Sequence, residues 1–145
     1  SSAGKLREPL VKIMHFLRSM EYTDVTGREI VLDKLDGRLG QWPYWTASVF
    51  NYYSVEYAPA GLPDGLVAPE FEIFTPPYAL GWLNGMLSLV DTGALSNCNS
   101  GLGWRIETCG RPPGQMNFSV PGNDPNDSFR EVSLLLTGGR MGDTR

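Results

Sequence analysis

Proline placement constrains this chain more than any other feature. Pro43, Pro59, Pro63, Pro69, Pro76 and Pro77 punctuate its middle, and a proline in a helix interior removes a hydrogen bond and clashes with the preceding turn. Any helix between residues 40 and 74 must therefore be short. Gly and Pro together number 28 of 145 residues (17 plus 11), about a fifth of the chain against a usual ~12%. The predicted fold class is mainly α, with several short-to-medium helices joined by long, ordered Gly/Pro-rich loops.

Three windows are free enough of breakers to hold such helices. Leu10, Ile13, Met14, Leu17 and Met20 recur at helical spacing, and Pro9 suits a first turn, where a missing N–H costs nothing. This predicts a helix over Arg7 to Met20, with Val11 and Phe16 off the main stripe and marking a second contact surface. Thr75-Pro76-Pro77 predicts a second helix, with Thr75 as N-cap and Pro76 at its first position. Leu80, Leu83, Leu87 and Val90 are its expected apolar face, Gly81 and Gly85 would admit a close backbone, and Asp91-Thr92-Gly93 ends it. A last helix is expected from Asn126 or Asp127, with Phe129, Val132, Leu135 and Leu136 as its stripe and Gly138-Gly139 as its stop.

The remainder is less regular. Thr23 to Gly27 and Asp36-Gly37 carry turn chemistry, and Ile30-Val31-Leu32 fits a short helix or a strand equally. The aromatics Trp42, Tyr44, Trp45, Phe50, Tyr52, Tyr53, Tyr57, Phe71 and Phe74 predict a packed, irregular layer. Residues 96–126 form a Gly/Asn/Pro-rich loop excursion, long enough that it should be functional or stapled.

Charge and hydropathy exclude several classes. A net charge of −4 argues against a nucleic-acid partner, which requires a basic stripe to neutralise phosphates. The early cluster Lys5, Arg7, Lys12 and Arg18 reads as a solvated helix face. The longest apolar run, Tyr78 to Val90, falls short of the ~18 residues of a membrane span and is broken by Asn84 and Ser88. Ser1-Ser2-Ala3-Gly4 carries neither an initiator Met nor a signal peptide. The chain is therefore expected to be processed, cut or incompletely represented, with any targeting signal lying outside it.

Four segments carry a family resemblance. Gly4-Lys5-Leu6-Arg7-Glu8-Pro9-Leu10, then Ser48-Val49-Phe50-Asn51-Tyr52-Tyr53 within Trp45 to Tyr57, resemble a helix start and an SVFNFF segment of one family. Gly65-Leu66-Val67-Ala68-Pro69-Glu70-Phe71-Glu72-Ile73 is similar to its GLVAPEFQI run, with Glu72 where Gln is common. Leu134 to Gly139 resembles a weaker element near its C-terminal end. The family is that of domain of unknown function 1800. The resemblance covers most of the chain except the excursion from Ser96 to Asn126. It implies a large, mostly helical domain of which residues 1–145 are a single partial domain, the C-terminal portion. It further implies an exported protein, and it carries no catalytic residues.

The residues that bear chemistry are few. Cys98 and Cys109 are the only cysteines. An even number in polar surroundings, with the family's exported character, favours a disulfide over two thiols in a reducing compartment. Closing that loop is worth about 3 kcal/mol in the chain-entropy model. Without a nearby histidine the pair makes no zinc site. Asn117-Phe118-Ser119 and Asn126-Asp127-Ser128 match the N-glycosylation acceptor pattern, which carries meaning only in a secreted eukaryotic chain. His15, the lone histidine, has no partner near it in sequence for metal or acid–base work and reads as structural. Glu70 and Glu72 would share one face of an extended segment, with Glu56 and Asp64 upstream. Paired carboxylates among aromatics are the signature of a glycoside-cleaving site, although carboxylates near turns more commonly bind backbone N–H groups.

Two functions follow. The first is a non-catalytic structural or interaction portion of an exported protein, packing on the remainder of its own chain and on an extracellular protein assembly. The alternative is part of an extracellular carbohydrate hydrolase using Glu70, Glu72 or Glu56. No cofactor or metal is expected, and none of the common nucleotide, metalloprotease or serine-hydrolase motifs is present.

Overall fold

The computed structural model describes residues 6–25, 27, 29–30, 32, 35–93, 95–96, 101–102, 114–120 and 122–141. Among them the fold is mainly α. Helix α1 spans Pro9–Ser19, the one-turn α2 Asp36–Leu39, α3 Pro76–Thr92 and α4 Pro125–Thr137, with a 3-10 turn at Pro69–Phe71. Four two-residue strands join them: β1 (Tyr22–Thr23) pairs antiparallel with β4 (Gln115–Met116), and β2 (Leu95–Ser96) with β3 (Gly101–Leu102).

Local chemistry explains the helix bounds. Pro9 opens α1, and Thr75 in extended conformation precedes Pro76 at the start of α3. Gly93 and Gly138 close α3 and α4 in the left-handed conformation that glycine reaches without a Cβ penalty. Helix α4 begins one residue before the expected Asn126, because Asp124 is its cap and accepts from the Asn126 N–H at 2.9 Å. Ile30 and Leu32 join neither a helix nor a strand, yet both pack against the core.

The core is small. Ile13 and Leu17 of α1, Tyr22, Leu35, Leu39, Leu89 of α3 and Leu102 form one buried cluster, with Phe16, Trp82 and Met86 partly buried against it. Within the segment 96–126, Leu102 is fully buried and the Gln115–Met116 strand pairs with β1. Tyr22 reaches further, donating its hydroxyl to the Gly93 carbonyl at 2.7 Å.

Two expectations about packing are reversed. Leu80, Leu83, Leu87 and Val90 of α3 do not face the core; they are 60, 53, 60 and 58% exposed. The opposite side is buried because its glycines permit closer contact. A Cβ on Gly81 would strike the Arg38 backbone carbonyl of α2, and one on Gly85 would strike the Leu102 side chain. Close backbone approach thus decides which of two apolar faces is covered. The aromatic segment is likewise irregular without being a packed layer. Tyr44, Trp45, Phe50, Phe71 and Phe74 are exposed, with Trp42 and Trp45 stacked at 4.9 Å and Phe71 edge-on to Phe74 at 6.4 Å. Helix α4 also leaves Phe129 and Leu136 of its stripe exposed, and buries Ser133 instead.

Gly81→Ala should lower stability by about 1–2 kcal/mol in chemical denaturation. The rigid Arg38 carbonyl makes overpacking cost more than the ~1 kcal/mol that alanine gains in helix propensity. Leu83→Ala, on the open side, should change stability by less than about 0.5 kcal/mol.

Candidate functional site

Among the described residues a polar cluster gathers around Glu8, the residue preceding α1. Its carboxylate does not cap its own helix. It accepts instead from Gln41 Nε2 at 3.0 Å, Tyr53 Oη at 2.6 Å and Asn51 Nδ2 at 3.4 Å. Gln41 is fully buried and bridges: its Oε1 accepts from the Leu10 N–H at 3.0 Å, one of the amides that a helix start leaves without an intrahelical partner. A side chain 31 residues downstream thus caps α1. Asn51 reaches Glu8 from a left-handed backbone conformation (φ 79°), inside a tight turn in which Ser48 and Asn51 form a β-bridge.

The electrostatics follow from the geometry. The hydrogen bond to the Glu8 carboxylate, aided by burial and by the charges of Glu8 and Glu70, pushes the Tyr53 hydroxyl up from 10.0 to about 12. Burial, with the Glu8 charge beside it, also raises Tyr52, whose hydroxyl donates to the Trp42 carbonyl.

The carboxylates of the hydrolase alternative are not arranged as an extended strand would place them. Glu70 and Glu72 do not share an extended face, because Pro69–Phe71 is a 3-10 turn with Glu72 at its end. Glu72 accepts the Ser54 N–H, so it anchors a turn, and Glu56 is exposed. None of the three lines either of the two clefts described here. The first three of the four resembling segments do connect in sequence order, however. Glu8 of the first binds Asn51 and Tyr53 of the second, and the Ala68 N–H of the third donates to the Tyr57 carbonyl at 2.8 Å. Sequence reasoning missed Gln41, which lies between Gly40 and Trp42 with no periodic signal to mark it as buried.

His15 Nε2 donates to the Leu135 carbonyl at 2.5 Å and ties α1 to α4, a structural role. The Asn117 amide donates to Thr23 Oγ1 at 2.7 Å and to the Glu21 carbonyl at 3.1 Å, and Asn126 sits in the first turn of α4. Both side chains are exposed. Cys98 and Cys109 lie outside the described residues. Among the described residues no group of His, Cys, Asp and Glu could hold a metal ion, and no helix is long and apolar enough to cross a membrane. Two open clefts flank α1, one of about 410 Å³ beside Met14, Tyr22 and Ile30, and one of about 430 Å³ between α1, α3 and the end of α4. No protein-family model, curated protein or solved structure matches the chain.

Gln41→Leu should cost about 2–4 kcal/mol in denaturant unfolding, because it leaves both the Leu10 N–H and the Glu8 carboxylate short of a partner. The alkaline limb of stability reports on the same cluster. The fold binds the Tyr53 proton more tightly than the unfolded chain does, so this stabilisation is complete below the ordinary pKa of 10.0 and is lost as pH rises through about 12. Tyr53→Phe should flatten that limb, and Glu8→Gln should move the Tyr53 titration, followed by tyrosinate absorbance, back toward its ordinary value.

Proposed function

We propose that this chain is a non-catalytic structural or interaction module whose outer α3 face docks on another part of the protein to which it belongs. The observation that carries this reading is the line of Leu80, Leu83, Leu87 and Val90, all more than half exposed on one side of a single helix. Single exposed apolar residues are ordinary, whereas a contiguous apolar patch marks an interaction surface. Spacings of three, four and three residues place the four side chains in one straight seam, the pattern by which a helix packs on a second helix. The only charged residue within α3 is Asp91, at the C-terminal end of this face, so the seam itself carries no charge.

The described surface as a whole is also rich in apolar side chains. Among the described residues twenty-one large hydrophobic side chains are exposed and eight are buried, with Tyr44, Trp45, Val49 and Phe50 among the most open. Covering the α3 seam alone would contribute about 4–7 kcal/mol at the usual value of burying an aliphatic side chain. That is comparable with the whole stability of a small domain. The intended partner is the remainder of a larger helical domain, as the family resemblance implies, in an exported protein. The hydrolase alternative gains no support from the geometry, since Glu72 is engaged with backbone and Glu56 and Glu70 line neither cleft.

The test is the double variant Leu83→Gln/Leu87→Gln, which keeps helix propensity and adds no charge, made in the isolated chain and in the natural full-length protein. In the isolated chain it should leave stability within about 0.5 kcal/mol, because both sites already face water. In the natural protein it should destabilise by several kcal/mol or release this segment to proteolysis. Equal indifference in both would overturn the proposal.

A further inference from the structure

The cleft between α1, α3 and the end of α4 has a composition at odds with the chain around it. The protein carries a net charge of −4, yet among the described residues the charged ones lining this cleft are Arg7, Lys12 and Arg140, with no carboxylate beside them. Its inner wall is apolar, formed by Phe16, Trp82 and Met86. Lys12 Nζ lies 5.7 Å from the centroid of the Trp82 ring, so its charge is held at the boundary between the apolar wall and the open side.

The end of α4 offsets only part of the charge of these three cations. A helix C-terminus presents partial negative charge through its free carbonyls. Here the Leu135 carbonyl accepts from His15, and the Thr137 carbonyl accepts from Arg140 Nε at 2.9 Å. Arg140 keeps its terminal guanidinium nitrogens, and among the described residues no ion pair engages Arg7 or Lys12. The volume of about 430 Å³ falls within the ~300–1,000 Å³ of small-molecule pockets. An apolar wall also lowers the local dielectric and strengthens any ion pair formed against it.

We propose that this cleft binds a small amphiphilic monocarboxylate: an acyl or aryl chain against Phe16, Trp82 and Met86, with its carboxylate held by Arg7 and Lys12 beside Arg140. On α3 the cleft uses Trp82 and Met86, which flank the seam of Leu80, Leu83, Leu87 and Val90 without being part of it.

The test is titration of the folded protein with decanoate, with acetate as charge alone and decanol as apolar chain alone. His15, the lone histidine, lines the cleft, so its ring protons give a local NMR signal without mutation. Decanoate should bind saturably at one site, shift the His15 signals, and bind at least about tenfold tighter than either control. Arg7→Gln/Lys12→Gln should weaken decanoate by about tenfold or more while leaving decanol unchanged, as expected when charge-assisted hydrogen bonds are removed. If decanoate binds without moving His15, or binds equally to the double variant, it is adsorbing to exposed apolar surface and the proposal fails. It fails equally if decanol matches decanoate, or if the wild-type protein shows no saturable binding. Should the double variant not fold, the wild-type His15 shift and the three-ligand comparison decide the matter alone.

Discussion

The structure depends on one buried amide. Gln41 gives its oxygen to the first turn of α1 and its nitrogen to Glu8, and Glu8 in turn holds Tyr53 and Asn51. A buried polar group is costly unless both of its ends are satisfied, and once satisfied it fixes a unique arrangement. Here it fixes where the aromatic segment lies against the start of α1. Periodic apolar contacts could not have done so, because the proline-broken stretch from 43 to 74 has no long element with a face to bury. The segment is held by polar side chains and backbone turns, with Ile73 as its one buried large hydrophobic residue among those described.

The same economy appears in α3. A helix apolar on both sides must choose one for the core, and Gly81 and Gly85 make the choice by letting α2 and Leu102 approach closely. The leucine seam is displaced outward as a consequence. The exposed seam and the tight glycine contact are therefore two results of one packing decision. Exposed seam and core are coupled through the rigid body of a single helix.

How much of this was legible in the sequence varies by element. The starts of α1 and α3 and the ends of α3 and α4 were, because Pro9, Pro76, Gly93 and Gly138 act through local backbone chemistry that needs no tertiary context, whereas the start of α4 at Pro125 was not. The closeness enabled by Gly81 and Gly85 was also visible. Its consequence was not, because periodicity says which residues share a face and not which face wins. Leu80, Leu83, Leu87 and Val90 were therefore expected inward and are found outward. The aromatics were assigned to a packed layer on density alone, which ignores that irregular backbone must also satisfy its own polar groups. Glu72 was legible in its bland role as an acceptor for backbone N–H, and Gln41 was not legible at all, since one glutamine in a loop carries no pattern. Arg7 and Lys12, expected on a solvated face, reach a shared cleft with Arg140 only because α4 returns to α1 after more than a hundred residues.

The claim that the outer face of α3 is a covered surface in the working protein can be tested directly by hydroxyl-radical footprinting. The natural protein and the isolated chain would be compared at Leu80, Leu83, Leu87 and Val90. The account predicts that these residues react readily in the isolated chain and are protected in the natural protein, with Gly81-side residues such as Leu89 protected in both. Equal reactivity of the four in both samples would contradict it, because the seam would then be ordinary surface.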